Sequence, residues 1–386
     1  MLKNINDESI LIICGICIAI ISIGVGRFIY TPIIPDMQES LDYKSSTIGL
    51  IASFNYLGYL IGSLFSIFYQ ANIFNRYYIY LFTLVSIFST ISIGITTNLE
   101  SIIIFRFFNG ISSAIIFIII TSIIFSIINS KNKMIHFSGI GLGIILSSIL
   151  IFLLNLLNVS WRIYWISGGL MMLFTSFPLL FLNFKVLKKI NKTEIFFVKT
   201  NNKLDFILIS LGYCFFGLGY IIFGTFIAVM TRNYTEISYF EYVCWFIVGC
   251  SAIPAASFFY TLGEKIDLDR SLFLASLICS LGTLILVIDT NYLLIIVACL
   301  LFGFGVPGVV GLVLFEGEKR FKTKHKLSVP ILTFAFSIGQ IIGPYLSGIL
   351  IDGSNHYNKS LMLSSISLTL GSILMLKSSR FKMNLR

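Results

Sequence analysis

The segment ILIICGICIAIISIGVGRFIYTPIIP, residues Ile10–Pro35, decides the fold. No charge appears in the seventeen residues from Ile10 to Gly26; then comes Arg27, and the apolar character resumes to Pro35. An apolar run of about 18 residues or more is long enough to cross a hydrocarbon core of ~30 Å as a helix. A cation inside such a helix costs about 2.5–3.5 kcal/mol on insertion scales, so Arg27 is expected to face protein, water or an anion rather than lipid. The run is longer than the core is thick, so it must tilt or bend, and Pro32 and Pro35 are natural places for that.

The rest of the chain repeats this character. Of 386 residues 57% are hydrophobic and only 11% charged, against roughly a quarter charged in a soluble protein. Apolar runs between polar breaks give twelve spans, at about 10–35, 47–69, 77–96, 101–127, 137–157, 162–182, 204–230, 240–261, 271–288, 291–315, 328–350 and 360–377. The first is too long for a signal-peptide core and no small-residue cleavage site follows it, so it reads as an uncleaved span. The expected fold class is an all-α integral membrane protein.

The net charge of +10 follows a topology rather than a face. With the N-terminus inside, the inner segments hold twenty-one of the Lys and Arg residues, the outer segments only Lys44, Arg162, Arg232 and Lys359, and two, Arg27 and Arg106, lie within spans. That asymmetry is the positive-inside pattern; it places both termini in the cytoplasm and leaves no basic surface that requires nucleic acid. The seven cysteines all lie in apolar runs, and Cys14-x-x-Cys17 lacks the context of a redox or zinc motif, so they read as small packing residues.

The longest polar break, residues 183–203, divides the spans six and six. A shift of half the length, 193 residues, lays IGVGRFIYTP (23–32) over FGLGYIIFGT (216–225), pairing Gly24 with Gly217 and Gly26 with Gly219. The same shift pairs Gly110 with Gly303. Two segments agreeing at one offset argue for duplication, and paired halves around a midplane site are a transporter plan. The expected domains are a six-helix bundle at 1–182, a cytoplasmic linker at 183–203, and a second bundle at 204–386.

Twelve spans in two halves, a basic central loop, Arg106-x-x-x-Gly110 in the fourth span and Gly-Gln-Ile-Ile-Gly-Pro (339–344) in the eleventh resemble the major facilitator superfamily. GVGRFIYTPIIPDM (24–37), SFNYLGYLIGS (53–63) and GYCFFGLGYIIFGTF (212–226) resemble, more narrowly, its YbfB/YjiJ-like branch. The resemblance covers essentially the whole chain and implies two pseudo-symmetric six-helix bundles, with 12 transmembrane helices, in the bacterial inner membrane. Two features depart from the superfamily pattern. Ser66 stands where an Asp usually follows Gly62, and GIGLGIILSS (139–148) lacks the proline of antiporter-type fifth helices.

The candidate site is built on the two intramembrane arginines. All seventeen acidic residues lie in loops or at span ends, the nearest to the bilayer being Asp36, Glu100, Asp205, Glu241 and Glu316. A cavity with two cations and no fixed counter-ion invites an anionic ligand, and guanidinium matches a carboxylate in two hydrogen bonds. Helical spacing puts Arg27 on a face with Tyr30 and Thr31, Asn55 with Tyr59, Arg106 with Asn109 and Ser113, Tyr213 with Tyr220, and Glu241 with Trp245; Gln340 stands alone on the eleventh span. The expected substrate-binding set is Arg27, Tyr30, Asn55, Tyr59, Arg106, Asn109, Tyr213, Tyr220, Trp245 and Gln340. The plainer reading of each tyrosine and asparagine is that it joins helices. Arginine stays charged at physiological pH and cannot carry a coupling proton, so Glu241 is the proton-coupling candidate.

Secondary transport of a small organic anion by a monomer is the leading reading. The alternatives are export of amphipathic or aromatic compounds and a non-transporting receptor or scaffold, which would call for a soluble appendage longer than the roughly twenty-residue loop here. His136, His325 and His356 read as loop residues, and no His, Cys, Asp and Glu grouping has metal or hydrolase spacing, so neither enzyme chemistry nor a cofactor or metal is expected. Gly303-Phe-Gly305-Val-Pro-Gly308 spells a nucleotide fingerprint, but within a span it reads as helix packing.

Overall fold

The computed structural model describes residues 5–68, 76–128, 131–182, 203–320, 325–354 and 356–383. All but the last residue of the expected linker, Lys203, lies outside them. Eleven helices are long and apolar enough to cross a membrane, and a shorter apolar one, Tyr77–Ile93, supplies the third span. Among the described residues there is no strand. After the first span come Ser45–Phe68, Arg76–Ile93, Leu99–Ile127, Ser138–Leu156 and Trp161–Thr175 as the second to sixth, then Lys203–Tyr234, Phe240–Ile266, Leu268–Ile288, Tyr292–Arg320, His325–Ser354 and Asn358–Met383 as the seventh to twelfth. Outward positions such as Leu81, Leu84 and Phe88 are exposed and apolar, as a surface solvated by lipid tails requires.

The first span does bend, but ahead of its prolines. It runs as Ile5–Ala19, a π-helical stretch Ile20–Val25, a turn over 26–29, and Tyr30–Leu41. The amide of Gly26 reaches back five residues to the Ile21 carbonyl at 3.0 Å. Pro32 lies in the first turn of the last piece, where its missing N–H is not needed. The change of pitch instead sits at a close backbone approach: a Cβ on Gly24 would lie 2.6 Å from the Gly143 Cα on the fifth span. π-Helical turns of this kind mark functional positions, and Arg27 follows directly.

Packing repeats at the half-chain offset. Gly24 abuts Gly143, and 193 residues on Gly217 abuts Phe336; Gly110 abuts the Asn55 carbonyl, and Gly303 abuts that of Val248. The same interhelix contacts thus occur in each half. The glycines of the apparent nucleotide fingerprint are absorbed in such contacts, Gly305 against the ninth span and Gly308 against Phe259.

The halves meet along two long seams, the second span on the eleventh and the fifth on the eighth. Ser53 Oγ donates to the Ile341 carbonyl at 2.7 Å and Ser148 Oγ to that of Tyr242 at 2.6 Å. At the end away from the termini, Asp352 accepts from the amides of Ser45 and Ser46, each at 2.9 Å. At the end bearing the termini, Phe125 packs edge-on against Phe315, 6.1 Å between ring centres. Both ends are therefore bridged between halves. His136 is no loop residue: it lies in the 3-10 helix Lys131–Phe137 and is fully buried. Its Nε2 lies 3.3 Å from Thr121 Oγ1 and its ring 4.1 Å from that of Phe137. The sequence places it between two apolar runs, and this short helix closes that gap.

Candidate functional site

Arg27 stands just past the π-helical stretch, midway along the bundle and 2% exposed. Its guanidinium carbon lies 3.5 Å from the centre of the Tyr59 ring and 5.4 Å from that of Tyr56. A cation over an aromatic face is favoured by about 0.5–2 kcal/mol. Its Nε and Nη2 have no hydrogen-bond partner. These two nitrogens form one edge of the guanidinium, the edge that accepts both oxygens of a carboxylate side by side. Each buried donor left unpaired costs about 1–3 kcal/mol. Among the described residues no carboxylate pairs with Arg27, whereas Arg232 pairs with Asp36 and Glu241.

Arg106 is also buried but held. Its Nη1 donates to the Gly26 carbonyl at 3.1 Å, one residue before Arg27, and its guanidinium carbon lies 4.9 Å from the Tyr30 ring centre and 5.6 Å from that of Trp165. Arg106 and Arg27 lie within Coulombic reach of each other, so two positive charges share one low-dielectric region. Tyr30 donates its hydroxyl to the Ile48 carbonyl at 3.2 Å and so braces the first span against the second.

The asparagines join helices. Asn55 Nδ2 donates to the Arg106 carbonyl at 2.8 Å and to Asn109 Oδ1 at 3.1 Å. Asn109 Nδ2 passes the chain to Thr90 Oγ1 at 2.9 Å on the third span. This ladder fixes the second, third and fourth spans and sets the register of Arg106.

The second half contributes an aromatic column. Tyr213 stacks on Phe336 at 4.3 Å, Phe216 on Tyr220 at 5.6 Å, and Tyr220 on Phe336 at 5.2 Å between centres. Gln340 donates to the Tyr220 hydroxyl, while its Oε1 is buried without a partner. The Tyr213 and Tyr220 phenols lie within Coulombic reach of Arg27. Trp245 Nε1 donates to the Phe28 carbonyl at 3.2 Å, and Thr31 Oγ1 to that of Gly224 at 2.6 Å. Both tie the first span to the other half beside Arg27.

Glu241 stands apart from this centre. It lies at the end away from the termini, where Arg232 Nε donates to its Oε1 at 2.8 Å. Arg232 Nη1 also donates to Asp36 at 2.6 Å. Arg232 is thus a residue of the last helical turn bridging both halves, where the sequence reading had it in an outer loop. Tyr56, Trp165 and Phe336 were not foreseen. Tyr56 neighbours Asn55 and lies three residues before Tyr59, so the same periodic reading could have found it; Trp165 and Phe336 approach from other helices, which no local pattern reports.

A family model described as "Uncharacterised MFS-type transporter YbfB" matches residues 19–376. No curated protein matches the chain.

Proposed function

Because the chain belongs to this YbfB-type family of major facilitator transporters, we propose that it carries a small organic anion across the membrane by alternating access, with Arg27 as the carboxylate clamp. The supporting observation is the buried Nε and Nη2 edge of Arg27, unpaired and without a carboxylate against it. A carboxylate would satisfy both donors and offset the combined charge of Arg27 and Arg106. In this reading Tyr59 holds the guanidinium flat, the Asn55 and Asn109 ladder positions Arg106, and Tyr213, Tyr220 and Gln340 close the site from the second half.

The moving bodies in this proposal are residues 1–182 and 204–386, joined by the linker at 183–203 and rocking about the midplane. The termini face the cytoplasm of a bacterial inner membrane, and the working unit is a monomer. The end away from the termini is then the outer end, where Glu241, the acid that the sequence alone singles out for proton coupling, is held by Arg232.

The test is a thermal-shift panel of mono- and dicarboxylates, with neutral amide analogues, on purified protein. A carboxylate that raises the melting temperature of the wild type but not of Arg27→Gln is the expected result; equal shifts in both proteins end the clamp reading. The aromatic column favours a second reading, export of amphipathic aromatic compounds. That reading expects neutral aromatics to shift both proteins alike and a deletion strain to become more drug-sensitive.

A further inference from the structure

The cluster at the outer end has an asymmetry that bears on coupling. Arg232, on the seventh span, bonds Glu241 on the eighth, within its own half, and Asp36 on the first, in the other half. Asp36 Oδ2 also accepts from the Tyr242 hydroxyl at 3.1 Å and from Asn155 Nδ2 at 3.3 Å. Asn155 belongs to the fifth span and lies 3.1 Å from the Tyr164 hydroxyl on the sixth. When the halves part at this end, Arg232 keeps Glu241. Asp36 instead loses Arg232 and Tyr242, and retains only Asn155 and Tyr164 from its own half.

We propose that Asp36 is the proton-coupling residue and the latch of the outer end, closed by its bond to Arg232 and released by protonation. This rests on the transport reading given above. The reason is the exchange of partners: of the two acids on Arg232, Asp36 is the one whose counter-ion depends on which way the carrier faces. In the closed state the charged Asp36 carboxylate holds Arg232 and Tyr242 across the halves, and a proton placed on it removes the charge that Arg232 grips. Acid therefore favours opening, by linkage.

The surrounding charge gives the latch a second effect. A cavity of about 400 Å³ at this end is lined by Asp36, Arg232, Glu236, Glu241, Tyr239 and Asn155, among others. With three carboxylates and one guanidinium the mouth is net negative, while the centre, with Arg27 and Arg106, is net positive. An anion approaching from outside meets repulsion first and attraction second. Neutralising Asp36 lowers the first barrier and loosens the bridge together, which ties anion entry to proton entry.

The experiment needs no substrate. Thr31, 2% exposed and between Arg27 and Asp36 along the first span, is replaced as Thr31→Cys in a background whose native cysteines are changed to serine or alanine. Labelling by a membrane-impermeant maleimide is timed on intact cells. Asp36→Asn is expected to speed labelling about five- to tenfold, a partly exposed bridge being worth roughly 1 kcal/mol. Glu241→Gln, which leaves the Asp36–Arg232 bond in place, stays within about twofold of the background. Lowering the pH narrows the ratio of the Asp36→Asn rate to the background rate, a ratio in which the pH dependence of the thiol itself cancels. Tyr242→Phe, which removes one bond to Asp36, gives a smaller acceleration and serves if Asp36→Asn elutes as misfolded protein. An unchanged rate in Asp36→Asn, an equal acceleration by Glu241→Gln, or a ratio of the Asp36→Asn to background rates that does not change with pH overturns the proposal. Failure of the anion clamp shows separately, in the Arg27→Gln thermal shifts.

Discussion

The Arg27 guanidinium carbon lies over the Tyr59 ring, 3.5 Å from its centre, while the buried Nε and Nη2 have no hydrogen-bond partner. In the proposed clamp Tyr59 positions the cation while Nε and Nη2 stay open to a ligand. Tyr59→Phe retains the π-face and is expected to keep anion affinity within about threefold, whereas Tyr59→Leu is expected to weaken it about 5- to 30-fold, matching a cation–π contribution of ~1–2 kcal/mol. Titration of the carboxylate found in the thermal-shift panel, by calorimetry on both variants, checks this.

Arg27 and Arg106 are both buried cations, yet substitution should move stability in opposite directions. Arg106 donates to the Gly26 carbonyl, and Arg106→Gln abandons that acceptor at the bend of the first span; a charged hydrogen bond is worth about 1.5–3 kcal/mol. Arg27→Gln removes a charge whose edge has no partner. The ligand-free melting temperature is expected to fall for Arg106→Gln and to hold or rise for Arg27→Gln, while both lose anion binding. A site that gains stability when its key residue is removed is one that holds strain for function.

Much of this was legible in the letters because membrane helices obey one-dimensional rules. Length and apolarity gave the twelve spans, and the half-chain offset reappears in the paired contacts Gly24 with Gly143 and Gly217 with Phe336. The absence of an acid near Arg27 could be read from where the acidic residues lie along the chain. What the letters did not carry was long-range pairing. The bend fell at Ile20–Val25 rather than at Pro32, because it answers to the close approach of the fifth span and not to proline chemistry. Arg232 read as a loop cation because its partner Asp36 lies 196 positions away, and Trp165 comes near Arg106 only through the packing of the sixth span on the third and first.

The close approach of Gly24 and Gly143 sets the geometry from which Arg27 projects. A methyl at position 24 would lie 2.6 Å from the Gly143 Cα, with backbone rather than a yielding side chain on the far side. Gly24→Ala is expected to cost about 1–3 kcal/mol through forced separation of the first and fifth spans. It should also lower anion affinity, although position 24 touches no ligand, since the arginine three residues on shifts with its helix. A fall in both melting temperature and affinity is the expected pair of results; a fall in stability with unchanged affinity would mean that Arg27 is placed independently of this contact.

At the end away from the termini Asp352 joins the halves without an ion pair, and beside the proposed Asp36 latch it would act as a second lock. Its two carboxylate oxygens accept the Ser45 and Ser46 amides, the first N–H groups of the second span, so an eleventh-span residue caps a helix of the other half. Helix N-termini favour a negative charge, and loss of such a cap costs about 0.5–2 kcal/mol. Because the capped helix belongs to one half and the cap to the other, the proposed rocking breaks the bond when this end opens, and its loss falls on the closed state alone. Asp352→Asn keeps the shape, weakens the charge-assisted bonds, and is expected to speed Thr31→Cys labelling from outside about two- to tenfold. Combined with Asp36→Asn the effects should multiply, because the two locks share no partner. Labelling that rises no further in the double variant would mean that one lock already governs the opening and that the other merely follows it.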